Sequence, residues 1–492
     1  MVINVNNLLE YQKEIFDLEH TINIINWDLL VSTPKDEKNS VISLLGNLES
    51  KLFSLETSSK HGEVLEGFIN NDEFSKLSDA EKRYVKMMYK NYLKSVKVPH
   101  EFYVKYTELL HKSTAVWEEA KENNDYEAFK PYLKDVIEYT KKYYGYLNNG
   151  ENLYDTMLNS YEEGLTSNVI DKLFDELKEK LIPLISKLNN KKIDVKMNVS
   201  KDVLIKCAEY ILNYMEFDMN KGALGIYPHG FTEKVGNNDI RIAFKFTDNP
   251  FDFVTTIVHE GGHGILEQNV DNNLTKYECA TCDGINALHE SQSRFYENIL
   301  GRNINFWYPI YDEVKNMLGL DISLEEFSKG LNCAMPSLVR TEADELTYCM
   351  HIILRYEIER DLFSGKINVD DLPNVWNQKM KEYLGVEVIN DKDGVMQDVH
   401  WAEGDFGYFP SYLIGSIFDG MFLEIIENDL GSIDEILKSG NIKVITKYLI
   451  ENIYVNGAAF TGREVLEKLG RRNLSVVPLV NYFYKKYGNK NY

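Results

Sequence analysis

Apolar residues recur at three- and four-residue spacings along most of the chain, which is the pattern of helices with one buried face. Two long examples are DEFSKLSDAEKRYVKMMYKNYLKSV and NVIDKLFDELKEKLIPLISKL. Alternation is clear in one stretch, 239–246, where apolar residues occupy one face and Arg241 and Lys245 the other. The pattern therefore predicts a mainly α fold with a small β-sheet. We expect the 239–246 strand either at the edge of its sheet, where an extended peptide could pair with it, or in a simple hairpin.

One predicted helix carries the most informative motif. Residues 253–266 are apolar on both sides of the pentapeptide His-Glu-Gly-Gly-His at 259–263, which predicts a half-buried helix. Positions i and i+4 of a helix share a face, so His259 and His263 can place two imidazole nitrogens on one metal ion. Glu260 would then lie beside the ion, free to take a proton from a bound water. Because the motif fixes only three positions, a surface helix with two solvated histidines is the alternative.

Three glycines in and after this motif argue against the surface alternative. Gly261, Gly262 and Gly264 each cost about 1 kcal/mol relative to Ala in a helix interior. Glycines concentrated in one helical turn predict that a backbone or a ligand approaches the helix closely there.

A catalytic zinc keeps three protein ligands and one open position, so a third ligand is required. Residues 289–297 read HESQSRFYE and provide two candidates, His289 and Glu290. The stretch 285–300 has helical spacing, so either side chain could face the first helix. The residues alone leave both candidates open, and an ordinary polar residue on a helix face is the alternative for each.

The two histidine-glutamate motifs belong to an ordered series of short motifs. The series comprises HGF at 229–231, DIRIA at 239–243, HEGGH at 259–263, HESQSRFYEN at 289–298, VRTEAD at 339–344 and GVMQDVHW at 394–401, followed by FGYFPSYLIG. In this order, and together with INWDLLVSTPKD near the N-terminus, the motifs resemble those of the carboxypeptidase Taq family of metallocarboxypeptidases. The resemblance runs from about residue 20 to the C-terminus.

Three departures from the family's pattern lie near these motifs. Gly230 takes the place of a proline, Ala243 that of a threonine, and the spacing from His259 to Glu290 is about one residue longer. The two substitutions change the walls near the site and leave the reacting groups in place. The extra residue falls in a loop over 272–281, where insertions are tolerated. We expect these departures to affect the fine substrate preference.

The resemblance implies a large helical zincin-like fold, with a long substrate groove and a small β-sheet beside the active-site helix. It agrees with one catalytic domain over residues 1–492, in which two lobes could flank the groove. It makes Glu290, with His259 and His263, the ligand set of one divalent metal ion. Zinc is expected, and cobalt is the alternative because these ligands select weakly between metals. The implied activity is hydrolysis of C-terminal amino acids from peptides, with broad specificity.

The expected reaction assigns roles to further residues. The metal polarises the scissile carbonyl and lowers the pKa of its water, while Glu260 accepts the proton and delivers it to the leaving amine. The oxyanion needs another donor, for which Tyr408 and His229 are candidates in family motifs. A packed aromatic ring and a loop histidine are the structural alternatives for these two. Asp398 could orient a ligand histidine.

An exopeptidase must also bind the free carboxylate beyond the cut, and the planar fork of an arginine suits that task. Arg340 is the first candidate and Arg241 the second. The structural alternative for Arg340 is an ion pair with one of the acidic residues in 342–345. Gln397 and His400 are expected to complete the substrate-binding site.

The net charge and the amino-acid composition restrict which partners the protein is expected to bind and where in the cell it is expected to lie. The net charge of −23 argues against nucleic acid, because a phosphate backbone would be repelled. The start MVINVNNLLEYQKEIF lacks the features of a signal peptide, and no stretch has about 18 uninterrupted apolar residues, so no membrane association is expected. Five cysteines are typical of reduced thiols in a cytoplasmic protein. Cys279 and Cys282 form a C-x-x-C without a second pair, so no structural zinc is expected there. A homodimer is implied by the resemblance alone.

Two other functions stay open. A zinc oligoendopeptidase of a related helical family shares H-E-x-x-H and a downstream glutamate, and it would cut a C-terminally amidated peptide as well as the free acid. A non-catalytic peptide-binding protein would keep the fold around a decayed site, although Glu260 and the three ligands are intact. Replacing Glu260 with Gln separates this last class from an enzyme, because hydrolysis should stop while peptide binding survives.

Overall fold

The structure, a computed structural model of the 492-residue chain, describes residues 5–148, 150, 152–188, 190–277 and 284–488. Within these residues, ten helices precede the sheet: α1 (Val5–Val31), α2 (Lys38–Glu56), α3 (Ser59–Ile69), α4 (Asp72–Ser75), α5 (Asp79–Ser95), α6 (His100–Asn123), α7 (Tyr126–Leu147), α8 (Leu153–Tyr161), α9 (Ser167–Ile185) and α10 (Lys201–Tyr214). The described helices after the sheet are α11 (Pro250–Gln268), α12 (Asn272–Thr275), α13 (Asn286–Arg294), α14 (Ile304–Trp307), α15 (Tyr311–Leu318), α16 (Leu324–Leu331), α17 (Tyr348–Phe363), α18 (Leu372–Leu384), α19 (Phe409–Leu430), α20 (Ile433–Lys438), α21 (Lys443–Asn452), α22 (Gly462–Lys468) and α23 (Val477–Tyr487). Short 3-10 turns occupy Lys35–Glu37, Met219–Lys221, Arg340–Glu342 and Tyr454–Ala459, and a π-helical turn follows α13 at Phe295–Gly301.

The sheet contains β1 (Gly222–Ile226), β2 (Phe231–Gly236) and β3 (Asp239–Phe244) in the order β1-β3-β2. β1 runs parallel to β3, and β2 runs antiparallel to it. The prediction of an edge strand at 239–246 is therefore wrong, because β3 is hydrogen-bonded on both sides and ends at Phe244. A peptide that extends the sheet would have to pair with β1 or β2 instead.

Helix α11 carries the His-Glu-Gly-Gly-His motif and is packed into the core. Asn249 caps its N-terminus by accepting hydrogen bonds from the backbone N–H groups of Phe251 and Asp252, and Pro250 occupies the first turn. The apolar residues before and after the motif are buried, and β2 and β3 pack against the helix. The predicted mainly α fold with a small sheet beside this helix is confirmed.

Two glycines allow α13 to approach its neighbours at backbone distance. A Cβ on Gly262 of α11 would lie 2.8 Å from the carbonyl oxygen of Gln292 in α13. A Cβ on Gly415 of α19 would lie 3.0 Å from the carbonyl oxygen of Ala287, also in α13. The close backbone approach predicted from the glycines of the motif is therefore found at Gly262, and it determines how far α13 lies from α11.

We expect Gly262→Ala to weaken both stability and metal binding. The added methyl group would force α11 and α13 apart, and overpacking of this kind costs about 1–3 kcal/mol. Because Glu290 lies on α13 while His259 and His263 lie on α11, the displacement would also spread the three candidate ligands. Urea unfolding and metal content after dialysis measure the two effects. Gly46→Ala, at a glycine with no atom within 4 Å of the added Cβ, is the control. Wild-type metal content in the Gly262→Ala protein would contradict the prediction.

Helix α19 forms the centre of the packing around the site. It contacts α13, α17 and α23. By length and composition it is the one helix among the described residues that could cross a membrane. However, 83% of its most apolar window is buried inside the structure, as expected for the core helix of a globular protein.

Two predictions concern the segment between α11 and α13. The loop expected over 272–281 begins with the short helix α12, capped by Asp271. The C-x-x-C of Cys279 and Cys282 lies outside the described residues, so its lack of a metal-binding role stays a prediction.

Candidate metal centre and active site

Two histidines of α11 and a glutamate of α13 converge on one point. The Nε2 atoms of His259 and His263 lie 3.8 and 3.4 Å from Oε2 of Glu290. One potential ligand atom from each of the three residues lies within 4.8 Å of the others. Since the histidines are four residues apart, α11 presents both on one face. The structure thus brings together the ligand set expected from the sequence.

This donor set fits a divalent metal ion. Ligand atoms placed about 2.0–2.1 Å from a tetrahedral metal lie about 3.3 Å apart. The distances from Glu290 Oε2 to the two imidazole nitrogens, 3.4 and 3.8 Å, are close to that spacing. Three protein ligands, rather than four, are typical of catalytic sites that keep a position for water.

The protonation states of the ligands also suit a metal. Burial opposes ionisation of Glu290, but Arg294 and the two imidazoles outweigh it and hold the pKa of this carboxyl well below its usual range. Burial and the neighbouring His289 lower the pKa of His263 to about 4, so its ring is neutral. Burial alone would lower the pKa of His259, but Glu290 and other carboxylates raise it to about 9. A metal ion would therefore displace a proton from His259 on binding.

A carboxylate outside the ligand set orients His259. Its Nδ1 is hydrogen-bonded to Oε2 of Glu297 at 3.0 Å. Such a partner fixes the orientation of the ring and leaves Nε2 for the metal. Asp398, predicted for this role, instead binds Arg340 and Arg355.

His289, the other candidate for the third ligand, lies behind His263. The two rings stack with centroids 4.5 Å apart, and Nε2 of His289 is 2.9 Å from Oε1 of Glu267. Glu267 in turn pairs with Lys234 of β2 at 3.1 Å. His289 therefore supports the His263 ring, whereas Glu290 supplies the oxygen that faces both Nε2 atoms.

Glu260 is buried beside the ligand set, with 6% of its surface exposed. The hydroxyl of Thr232 on β2 lies 2.8 Å from Oε2 of Glu260 and 3.0 Å from its backbone carbonyl oxygen, so it can donate to either. A Cβ on Gly230 would lie 3.0 Å from Oε1 of Glu260 and 2.6 Å from the methyl carbon of Thr256. The glycine that replaces the family's proline therefore adjoins the expected base. Burial raises the pKa of Glu260, the direction that suits a general base.

A series of contacts leads from Glu290 to Arg340. Arg294, one turn after Glu290 on α13, donates its Nε–H to Oε1 of that glutamate at 2.7 Å. The Arg294 guanidinium carbon lies 4.0 Å from the centre of the Tyr348 ring. Arg340 donates from Nη1 to the Tyr348 hydroxyl at 3.0 Å. One aromatic ring therefore separates Arg340 from the arginine that binds Glu290.

Arg340 is 8% exposed and shares one carboxylate with a second arginine. Asp398 accepts hydrogen bonds from Nε of Arg340 at 3.0 Å and from Nε of Arg355 at 2.7 Å. The structural alternative, an ion pair with an acidic residue of 342–345, is wrong. Among the described residues, Asp398 is the carboxylate within ion-pair distance of these two guanidinium groups, so basic groups outnumber acidic ones in this cluster although the protein carries a net charge of −23.

Gln397 and His400 come from one motif but differ in their contacts. Oε1 of Gln397 accepts hydrogen bonds from the backbone N–H of Arg340 at 2.8 Å and from Arg355 at 2.7 Å, and its amide donates to two backbone carbonyls. Nδ1 of His400 is buried with no hydrogen-bond partner in the described part of the chain, and its Nε2 lies 3.5 Å from the Tyr412 hydroxyl. Burial lowers the pKa of His400 to about 4, so the ring is neutral. Gln397 thus supports the arginines, while His400 keeps an atom for a ligand.

Arg241 and His229 lie on the sheet side of α11. Arg241 pairs with Asp239 at 2.6 Å, and its guanidinium carbon is 5.7 Å from the centre of the Trp27 ring on α1. These contacts group it with α1 and its own strand rather than with the Arg340 cluster. His229 is exposed in the β1–β2 connection, directly before the glycine that adjoins Glu260.

Two tyrosines at the start of α19 form an aromatic group with His400. The rings of Tyr408 and Tyr412 are 5.1 Å apart, and that of Tyr408 is 5.7 Å from the His400 ring. The Tyr412 ring lies 5.3 Å from the Arg340 guanidinium carbon. Burial raises the pKa of Tyr412, and the charge of Glu290 contributes, so its hydroxyl stays protonated and can donate. Tyr412 was missed in the sequence, although it is one helical turn after Tyr408 in the same motif.

The fold is mainly helical, the H-E-x-x-H motif supplies two imidazoles, and a following helix supplies a glutamate. These features define a class, the H-E-x-x-H metallopeptidases. The chain matches the family described as Carboxypeptidase Taq (M32) metallopeptidase over residues 7–487. It therefore belongs to this family, and the metallocarboxypeptidase predicted from the sequence is confirmed.

Relatives and solved structures extend over nearly the whole chain. Carboxypeptidase 1 of Bacillus subtilis is 35% identical over 97% of this chain and 98% of the relative. Thermostable carboxypeptidase 1 of Thermus thermophilus is 32% identical over 98% of each. The crystal structure of the M32 carboxypeptidase from Deinococcus radiodurans superposes with a TM-score of 0.92 at 26% identity, covering 98% of both chains. The fold is therefore shared from end to end.

Several residues of the site could be recognised only in the structure. Glu297 follows Glu290 by seven positions, so both lie on one helical face, and this spacing is visible in HESQSRFYE. Thr232 and Arg355 give no comparable signal, because each reaches the site from an element distant in sequence.

Proposed function

We propose that this protein uses a zinc-type metal centre to remove amino acids one at a time from the C-terminus of peptides, with broad specificity. The observation that carries the proposal is the position of Arg340. This nearly buried arginine shares the carboxylate of Asp398 with Arg355, and one aromatic ring separates it from Arg294, which binds Glu290. The names of the Bacillus subtilis and Thermus thermophilus relatives support a carboxypeptidase. Broad specificity is carried over from the family resemblance.

His259, His263 and Glu290 would hold the metal. A bound divalent ion of this kind polarises a carbonyl group and makes a water more acidic. Two imidazoles and a carboxylate form a ligand set used by zinc in catalytic sites, which favours zinc over cobalt in this proposal. Glu297 and His289 keep the two ligand rings in their orientation through the contacts described above.

Glu260 acts as the general base and then as the general acid. Its carboxylate takes a proton from the attacking water and delivers that proton to the leaving amine. The Thr232 hydroxyl, 2.8 Å from Oε2, restrains the carboxylate for this task. Burial excludes bulk water from the carboxyl and raises its pKa, which makes it a stronger base.

Arg340 binds the terminal carboxylate of the substrate. Its guanidinium is held by Asp398 and the Tyr348 hydroxyl, so the fork is oriented before the substrate arrives. Charge-assisted bonds from a preoriented guanidinium give both affinity and specificity for a carboxylate. His400, with its unpartnered Nδ1, adds a further polar contact at this end of the site.

A hydroxyl on α19 supplies a donor to the oxyanion that forms at the scissile carbonyl. Tyr408 and Tyr412 are both candidates, and Tyr412 is favoured because its ring lies 5.3 Å from the Arg340 guanidinium carbon. His229, exposed beside Gly230, is a weaker candidate. One preoriented donor of this type contributes about 10²–10³ in kcat.

We expect Tyr412→Phe to lower kcat about 100-fold, while KM changes little, because the lost hydroxyl acts on the oxyanion and not on the bound peptide. Tyr408→Phe is the matched comparison, since the two rings are in contact. Steady-state kinetics on one peptide measure both variants. A large loss of kcat in Tyr408→Phe, with Tyr412→Phe near wild type, would transfer the role to Tyr408.

The main competing function is a zinc oligoendopeptidase, which shares the metal ligands and the base. Such an enzyme does not require a cationic group for the substrate terminus, whereas Arg340 and Arg355 outnumber the single carboxylate between them. This charge excess favours the exopeptidase.

Mass spectrometry of peptides after incubation tests the proposal. We expect a ladder of products that differ by single C-terminal residues, and we expect a metal chelator to stop its formation and added Zn²⁺ to restore it. Internal fragments without such a ladder would contradict the exopeptidase, and a ladder that persists in chelator would contradict the metal dependence.

A further inference from the structure

A basic pocket lies outside the ligand set, between α5, the end of α8 and α22. Its volume is about 430 Å³, within the range of ligand-binding cavities. Six basic side chains line it: Arg83, Lys86, Lys90, Lys94, Arg463 and Arg472. Three acidic side chains do so as well: Glu163, Glu464 and Glu467. The lining thus has three more basic than acidic groups, although the whole chain carries a net charge of −23.

Internal ion pairs neutralise only part of this lining. Arg83 pairs with Glu464 at 2.7 Å, and Lys90 pairs with Glu163 at 2.9 Å. In the described part of the chain, Lys86, Arg463 and Arg472 have no carboxylate within ion-pair distance. Arg463 bonds only a backbone carbonyl, that of Gly164, and all three of these side chains belong to exposed residues. Positive charge therefore remains for an anionic ligand.

The pocket and Arg340 lie beyond opposite ends of α13. Gly284 and Ile285, which line the pocket, directly precede this helix. Glu290 follows Ile285 by five residues, about 7.5 Å along a helix axis. Past Glu290, α13 ends at Arg294, whose guanidinium lies over the Tyr348 ring. The hydroxyl of Tyr348 accepts a hydrogen bond from Arg340. The candidate metal ligand thus lies between the basic pocket and the carboxylate-binding arginine.

Helix α8 also connects the pocket to the site. Asn159 and Ser160, in its last turn, line the pocket. The next residue, Tyr161, packs edge-on against Tyr408 with ring centroids 5.2 Å apart. The same helical turn therefore forms a wall of the pocket and contacts the aromatic group beside the metal ligands.

We propose that the basic pocket binds acidic side chains of the peptide substrate on the N-terminal side of the cut. The inference rests on the proposed function, since it takes the substrate's C-terminal carboxylate to lie at Arg340 and the scissile bond to lie over Glu290. The chain before the cut then runs toward the start of α13, where the pocket opens. An extended chain advances about 3.3 Å per residue, so roughly the third to sixth residues before the cut reach it.

Matched peptides test this assignment. Two octapeptides share their last residues and carry Asp or Asn at the third to sixth positions before the cut. We expect kcat/KM to be about three- to ten-fold higher for the Asp peptide than for the Asn peptide at low ionic strength. This preference should shrink in about 0.5 M NaCl, because salt at that concentration screens surface charges. The double variant Arg463→Gln/Arg472→Gln should abolish the preference, and Lys86→Gln alone should reduce it. Lys191→Gln/Lys192→Gln, with the same charge change at exposed lysines that do not line the pocket, should retain it.

A blocked dipeptide, too short to reach the pocket, reports the catalytic centre separately. The inference is overturned if the wild type hydrolyses the Asp and Asn octapeptides equally, or if the preference survives in Arg463→Gln/Arg472→Gln. In either case, release of the C-terminal residue from the dipeptide would leave the proposed function intact. If the wild type releases no C-terminal residue from either the dipeptide or the octapeptides, the proposed function fails and the inference falls with it.

Discussion

Replacing Glu260 with Gln is expected to lower kcat for peptide hydrolysis by about 10³- to 10⁴-fold, because an amide cannot take the proton from the attacking water that the carboxylate is proposed to accept. The glutamine amide is nearly isosteric with the carboxylate and can still accept the hydrogen bond of the Thr232 hydroxyl, so the site should keep its shape. Metal content, measured by mass spectrometry of the protein, should stay at the wild-type level. Peptide binding should also survive, as judged by fluorescence anisotropy of a labelled peptide.

Glu267→Gln is the matched control for this variant. Glu267 is also buried on α11, but it contacts His289 and Lys234 rather than the space beside the ligands. We expect it to retain activity within about ten-fold of wild type, since no proton transfer depends on it. Comparable activity in Glu260→Gln and the wild type would show that Glu260 is not the base. A wild type that binds peptides without cutting them would favour the non-catalytic alternative.

Arg340→Met is expected to lower kcat/KM on peptides with a free C-terminus by about 10²- to 10³-fold, the loss that follows when a buried carboxylate contact is removed. Asp398 would keep Arg355 as its partner, so the variant should not leave an unpaired buried charge. The loss should fall mainly on the free acid. A peptide amide has no terminal charge for Arg340 to bind, and its slow hydrolysis should change little.

Two further arginine variants distinguish charge from geometry. Arg340→Lys keeps the charge but loses the planar fork, so we expect partial activity. Arg360→Met removes another arginine–aspartate pair, that of Arg360 with Asp171. Arg360 lies twelve residues after Tyr348 on α17, about 18 Å along the helix, and should leave the kinetics unchanged. Equal losses in Arg360→Met and Arg340→Met would indicate a general effect on stability instead of a role at the substrate terminus.

Much of the candidate metal site could be predicted because the sequence signal for it is local. The i, i+4 spacing of His259 and His263 needs only helical geometry, and the glycine at 262 correctly indicated a close backbone approach. The choice between His289 and Glu290 could not be made from local spacing. The two residues are adjacent in the chain, so their side chains point in different directions from the helix. The family resemblance was needed to choose Glu290, which the structure brings to the histidines.

The predictions that proved wrong concern contacts between distant parts of the chain. Alternation along 239–246 reveals the two faces of a strand but not its neighbours, so an edge could not be told from a centre. The partner of Arg340 was sought among the adjacent acidic residues, whereas Asp398 comes from a loop 58 positions later. Such pairings depend on tertiary packing, which a single sequence does not reveal.

Comparing the acid and amide forms of one peptide tests whether this site removes residues from a free C-terminus. The measurement is the rate at which the wild-type enzyme, loaded with zinc, releases the last residue from each form. We expect a ratio of about 100 or more in favour of the acid in the wild type, and a ratio close to one in Arg340→Met. Equal rates on acid and amide in the wild type would contradict it and identify an endopeptidase instead.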